Sequence, residues 1–253
     1  MRLNEDHYSA SGTVEIYARA ATRGLTLPEK LCIAQVLESA RGSVLDIGVG
    51  AGRTVEPLSE MFRRYVGIDY SEPMVKAARR LFPASDIRVM DARALEFSEP
   101  FDCVFFSFNG IDCVDYDDRQ QILRSVSKLL RAGGFFIYST HNIRGPRVQH
   151  WIKSMWVKEL FLPLRRPAMI PRRVRNRRRN FHRQHVRPAD QVALVNDPAD
   201  GFAAITAYVD PQRELEVLRG HKLSTVASVG NKKAQYGYDS DDNWVYIVAQ
   251  KDS

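Results

Sequence analysis

The chain has 253 residues, 44% of them hydrophobic, which suits one α/β domain with a buried core and room for an insertion. No apolar run approaches the roughly 20 residues of a membrane-spanning helix, and Met1 to His7 lacks a signal peptide's apolar stretch, so a cytoplasmic location is expected. Cys32, Cys103 and Cys113 show no CxxC spacing, which points away from disulfides and from a zinc site; the histidines are scattered without a carboxylate cluster, so no metal is expected.

The formal net charge of +7 is local. Ten arginines and no Lys, Asp or Glu fall between Pro163 and Pro188, and removing them leaves −3 for the rest. An anionic partner therefore has to use this one segment.

In chain order, residues 5–38 have helical character with a break near Gly24 to Pro28. Ser43–Ile47 is a short apolar run closed by glycines, a buried strand. Arg53–Phe62 has helical spacing and Tyr65–Asp69 is a second strand. Ser71 is placed to cap a helix running to about Leu81, with Glu72 and Pro73 in its first turn. Ile87–Met90 and Phe101–Phe106 are strands three and four. A helix over about 117–131 is expected to stop at Gly133-Gly134, before a fifth strand at Phe135–Tyr138. The alternation then breaks over about 144–209 and resumes with a helix at Pro211–Gly220 and strands near 223–229 and 244–249. The pattern means a doubly wound, mostly parallel α/β sheet with right-handed crossovers and an insertion after the fifth strand.

The segment Leu45-Asp-Ile-Gly48-Val-Gly50-Ala-Gly52-Arg53-Thr54 joins a strand to a helix, where open parallel sheets bind ligands. A GxGxxG dinucleotide fingerprint from Gly48 would need glycine at Arg53, and no GK[ST] follows for a P-loop. The glycines fall instead at 48, 50 and 52, after Asp46. This spacing resembles the D/E-x-G-x-G-x-G motif of the class I S-adenosylmethionine (SAM)-dependent methyltransferases. Further features follow in order: Asp69 ending the second strand, Asp91-Ala92 after the third, Asp102 to Asn109 as a fourth-strand motif, and Leu129-Leu-Arg-Ala-Gly-Gly-Phe135, which departs from the family's L-x-P-G-G turn at Ala132. The likeness covers about residues 40–142.

The resemblance implies a seven-stranded Rossmann-like sheet, SAM as cofactor and S-adenosylhomocysteine as product. It implies that Gly48, Gly50 and Gly52 approach the cofactor, with Asp46 bracing their loop, Asp69 on the ribose, Asp91 and Ala92 at the adenine, and Ser107 and Asn109 near cofactor or acceptor. In related small-molecule enzymes an N-terminal helix with tyrosines folds over the cofactor, which makes Tyr17, with Tyr8, a candidate. The expected organisation is an N-terminal helical lid at 1–40, the SAM-binding domain at 41–144 and 210–253, and an arginine-rich inserted cap at 145–209.

Methyl transfer needs alignment, exclusion of water and, for some acceptors, removal of a proton. His141, ending Ser139-Thr-His-Asn142 after the fifth strand, is the candidate base, with a structural hydrogen-bonding role as the alternative. The fourth strand lacks the Asp/Asn-Pro-Pro-aromatic motif of enzymes acting on exocyclic amines of nucleic-acid bases, which lowers a nucleic-acid substrate. The leading expectation is a small-molecule acceptor, a sugar or phosphorylated sugar methylated on O or N; an RNA methyltransferase and a non-catalytic SAM-binding module are the alternatives. The arginine segment reads as a solvated face, a phosphate clamp, or an RNA or peripheral membrane surface. In the membrane reading, contact runs through 148–187, with Trp151, Met155 and Leu162 on one helical face.

Overall fold

A computed structural model describes residues 4–145, 148, 170–198, 201–232, 234–239 and 242–253. The expected helical face of Trp151, Met155 and Leu162, together with Arg165 and Arg166, lies outside the described residues.

The N-terminal region forms α1 (Glu5–Tyr8), α2 (Ser11–Ala20) and α3 (Leu27–Ala34). Then follow β1 (Ser43–Ile47), α4 (Val55–Met61), β2 (Arg64–Asp69), α5 (Glu72–Leu81), β3 (Ile87–Val89), β4 (Phe101–Phe106), α6 (Tyr116–Leu129) and β5 (Leu130–Asn142). The later elements are α7 (Ile170–Asn180), β6 (His185–Arg187), β7 (Val192–Asn196), β8 (Ile205–Val209), α8 (Pro211–Gly220), β9 (Leu223–Gly230) and β10 (Trp244–Lys251). Among the described residues all ten strands join one sheet.

Seven strands make the main sheet in the order β3-β2-β1-β4-β5-β10-β9. β1 to β5 are parallel and β10 runs antiparallel to both β5 and β9. Side chains alternate between two faces, as the period of two requires. On one face Leu45, Ile47, Val104, Phe106, Phe136 and Tyr138 pack with Ile122 and Val126 of α6 and Leu218 of α8. On the other, Val44, Cys103, Phe105, Phe135 and Ile137 pack with Cys32 and Ile33 of α3 and Leu58 of α4. Asp115 caps α6 by accepting from Asp118 N at 3.0 Å, and Asp210 caps α8 from Gln212 N at 2.9 Å.

Three details differ from the sequence expectation. α6 ends at Leu129, two residues early, because Leu130 already pairs with Phe101; Gly133-Gly134 lie inside the strand and not at the helix end. Ser71 makes no side-chain cap: its hydroxyl donates to Tyr8 O at 3.3 Å, tying α5 to the N-terminal region. The insertion adds strands to the sheet. β5 pairs with β4 only as far as Tyr138, so its last residues protrude, and there His141 and Asn142 pair in parallel with Tyr208 and Val209 of β8. β10 already lines the other edge as far as His141. The β8-β7-β6 ladder therefore extends from the carboxyl end of β5, on the β4 side, where a parallel sheet exposes its ligand crevice.

Candidate active site

The turn after β1 takes its shape from three glycines at φ +68°, +55° and +105° for Gly48, Gly50 and Gly52. Side chains rarely adopt such values. A Cβ at Gly52 would come 2.6 Å from a ring carbon of Phe82, and one at Gly48 would come 3.0 Å from Phe106. Asp46 braces the loop from beneath. It is buried and accepts from Thr54 Oγ1 at 2.5 Å and Tyr65 Oη at 2.8 Å. Burial pushes its carboxyl up to about 7, against the lowering effect of those two bonds. Asp69 closes the loop from β2: Gly50 N donates to Oδ2 at 2.9 Å and Ser71 N to Oδ1 at 2.8 Å.

Two cavities meet at this loop. One, about 670 Å³ with its open mouth, has Gly48, Asp69, Met74, Met90, Ala92 and Phe106 in its wall. The other, about 1360 Å³ with its open mouth, lies between the glycine loop and the stretch from Ile16 to Thr26. Tyr17, Ile47, Gly48, Gly50, Ser107 and Phe108 line both. Tyr17 approaches Gly50 closely, since a Cβ there would lie 3.5 Å from its ring. Tyr8 lines the smaller cavity and stands edge-on to Tyr17, with ring centroids 6.3 Å apart.

Asp91 is placed differently from Ala92. Its carboxylate receives Arg93 N, Nε and Nη2 at 3.0, 3.1 and 2.8 Å, and Arg93 also reaches Asp118 at 2.7 Å. Ala92 lines the cavity wall; Asp91 does not. The Asp91 carboxylate, expected with Ala92 at the adenine, is thus held in an ion-pair cluster beside the cavity wall.

One group at the site escaped the sequence reading. Arg53, at the position that breaks the dinucleotide fingerprint, forks onto Glu29 with bonds of 2.8 and 2.6 Å and donates to Gly24 O at 2.7 Å. Ser107 Oγ also donates to Glu29. Burial raises the Glu29 carboxyl, but the bonds and charge of Arg53 and the bonds from Ser107 and Thr26 outweigh it and hold it below its ordinary value. Glu29 is the third helical residue of α3, in a capping box with Thr26. The local signal was thus Thr26-Leu-Pro-Glu29. Ser107, expected at the cofactor, faces both cavities while bound in this cluster.

His141 stands at the protruding end of β5. Asp112 Oδ2 accepts from its backbone N at 2.7 Å and lies 2.8 Å from Nδ1. Asp112 is buried and paired with the buried Arg119 at 2.6 Å; Arg119 also pairs with Glu214 at 2.6 Å, and Tyr138 Oη donates to Glu214 at 2.7 Å. With Nδ1–H donated to Asp112, the acceptor nitrogen is Nε2, which faces Asn109 Nδ2 at 3.2 Å. His141 lines neither cavity; Phe108-Asn109-Gly110 stands between. Phe108 and Asn109 both have left-handed backbone, at φ +55° and +57°, strain of the kind that clusters at functional sites.

A doubly wound sheet with a glycine loop after β1, an acid ending β2 and an antiparallel β10 defines the class I methyltransferase architecture. Comparison with known proteins agrees. Residues 44–134 match the methyltransferase domain family, which supports a class I SAM-dependent methyltransferase fold for this part of the chain. A probable SAM-dependent methyltransferase of Mycolicibacterium smegmatis is 31% identical over 99 residues, covering 39% of this chain and 38% of that protein. A dTDP-4-amino-2,3,4,6-tetradeoxy-D-glucose N,N-dimethyltransferase of Saccharopolyspora spinosa is 30% identical over 95 residues, covering 36% and 37%. The chain thus spans well under two thirds of these relatives' lengths. A crystal structure of a SAM-dependent methyltransferase from Clostridium acetobutylicum superposes with a TM-score of 0.63 at 14% identity, covering 96% of this chain and 98% of that one; it supports the fold.

Proposed function

We propose that the protein transfers a methyl group from SAM to an oxygen or nitrogen of a small-molecule acceptor, a sugar or phosphorylated sugar. The observation that carries the reading is the convergence of Gly48, Gly50 and Asp69 on one cavity whose other walls are Met74, Met90, Ala92 and Phe106. The donor set fits the cofactor: backbone that a Cβ would fill, a carboxylate suited to ribose hydroxyls, and an apolar slot for a purine. SAM, when bound, supplies an activated methyl on a sulfonium. The sugar assignment draws on the aminosugar enzyme that this chain resembles over 95 residues.

The chain's own residues then align and deprotonate. Tyr8 and Tyr17 of the N-terminal helices shield the cavity from water. Gly48, Gly50 and Asp69 would hold SAM, which would supply its methyl group to the acceptor's lone pair. The acceptor's proton passes to His141 Nε2, where the acceptor group displaces the Asn109 amide. Asp112 holds the opposite nitrogen and stabilises the imidazolium that forms; a positioned base of this kind contributes roughly 10²–10⁴-fold.

The test is a transfer assay with methyl-labelled SAM and a panel of dTDP-aminosugars and sugar phosphates, with wild type and His141→Ala. Label on a sugar, reduced by His141→Ala without loss of SAM affinity, supports the reading. Equal activity of the variant removes His141 as base, and label on none of the panel removes the sugar assignment.

A further inference from the structure

α7 carries arginine at 172, 173, 175, 177, 178 and 179 and no acidic residue. One side is pinned to the protein. Asn176 Nδ2 donates to Gly201 O at 3.2 Å, Asn180 Nδ2 to Phe202 O at 3.0 Å, and Asn196 Nδ2 to Arg177 O at 3.2 Å. Arg173 and Arg177 lie over the Phe202 ring at 5.1 and 5.5 Å. At about 100° per residue, Arg172, Arg175, Arg178 and Arg179 fall on a single arc of about 120° facing away from that side. All four are exposed, and none has an acidic partner among the described residues. The exposed His182 follows directly.

A solvated charge run on a globular surface is ordinarily interleaved with acids, because like charges three and four apart repel. Here the repulsion stands unrelieved on a helix fixed by side-chain bonds to the loop between β7 and β8. The rest of the chain, outside 163–188, is net negative, so the positive field belongs to this region.

We propose that the Arg172–Arg175–Arg178–Arg179 face of α7 binds the phosphodiester backbone of RNA. The cations are all arginine, whose planar fork pairs bidentately with phosphate, where diffuse attraction to an anionic membrane is served equally by lysine. Among residues 171–198 no large apolar side chain is exposed, so this stretch offers no wedge for a bilayer. The imidazoles of His182 and His185, both exposed at the end of the ridge, add hydrogen-bond acceptors that guanidinium lacks. A 2′-hydroxyl can donate to them, and a DNA backbone cannot.

The test is fluorescence anisotropy of the full chain with a ~20-base-pair RNA duplex, the matched DNA duplex and phosphatidylglycerol vesicles, titrated from about 50 to 200 mM salt. RNA binding with a log–log salt slope of about −3.6 is expected from four phosphate contacts to a duplex. Replacing all four exposed arginines with Gln should cost at least tenfold and flatten the slope, with circular dichroism unchanged. Unaltered binding by that variant, DNA bound as tightly as RNA, or binding to vesicles but not to RNA would overturn the proposal.

Discussion

Asp112 Oδ2 holds His141 at two points, its backbone N at 2.7 Å and Nδ1 at 2.8 Å, although the two residues are 29 positions apart. One carboxylate oxygen thereby sets both where the strand end sits and which ring nitrogen carries the proton. Asp112→Asn should remove the preference for Nδ1–H and lower methyl transfer about 10²-fold or more, with KM for SAM nearly unchanged. Nitrogen-15 NMR of the imidazole checks the tautomer without any acceptor. An unchanged Nδ1–H signal in the variant would contradict the assignment.

Glu29 and Arg53 form a further buried ion pair at the site, with side-chain exposures of 0% and 17%. Arg53→Met strands a buried carboxylate, and breaking such a pair costs about 3–5 kcal/mol. Pairing it with Glu29→Gln should recover part of the loss. Denaturant unfolding of the two single variants and the double variant measures the coupling. Additive losses would mean that the fork does not join α3 to the glycine loop.

Gly52 and Gly50 differ in what surrounds them. Gly52→Ala meets Phe82 at 2.6 Å and holds φ +105°, so it should destabilise the fold by at least about 1–2 kcal/mol. At Gly50 the nearest atom to an added Cβ is Tyr17 at 3.5 Å, facing the cavity. Gly50→Ala should therefore weaken SAM binding more than its stability change explains. Calorimetric SAM titration beside thermal unfolding separates the two.

Asp46 gives a pH signature. Its carboxyl is raised to about 7 in the folded protein, against about 3.9 in an unfolded chain. Folding therefore favours the protonated form. This contribution to stability is complete below about pH 4 and is lost as pH rises through 7. Asp46→Asn should gain stability relative to wild type on going from about pH 5 to about pH 8 in paired thermal melts. A constant difference across that range would remove the raised carboxyl.

The sequence displayed the parts of the site that are local. The glycine spacing, Asp69 and the strand–helix alternation sit within about 30 residues of one another, and their periodicity encodes the sheet. Long-range partners were not legible. Asp112 gave no signal that it would reach His141, and Glu29 meets Ser107 across 78 positions. Nor did composition betray β6 to β8: the Pro- and Arg-rich insertion masked three short strands, whose link to β5 runs through His141, Asn142 and the Ile143 amide. Ser71 matched its motif in position but not in partner, because the Tyr8 carbonyl takes its hydroxyl.

The most direct measurement is label transfer from methyl-labelled SAM into fractionated metabolites, with the chain in catalytic amount. The account predicts label in the phosphorylated small-molecule fraction and S-adenosylhomocysteine formed in equal measure. SAM bound without turnover, or label confined to macromolecules, would contradict it.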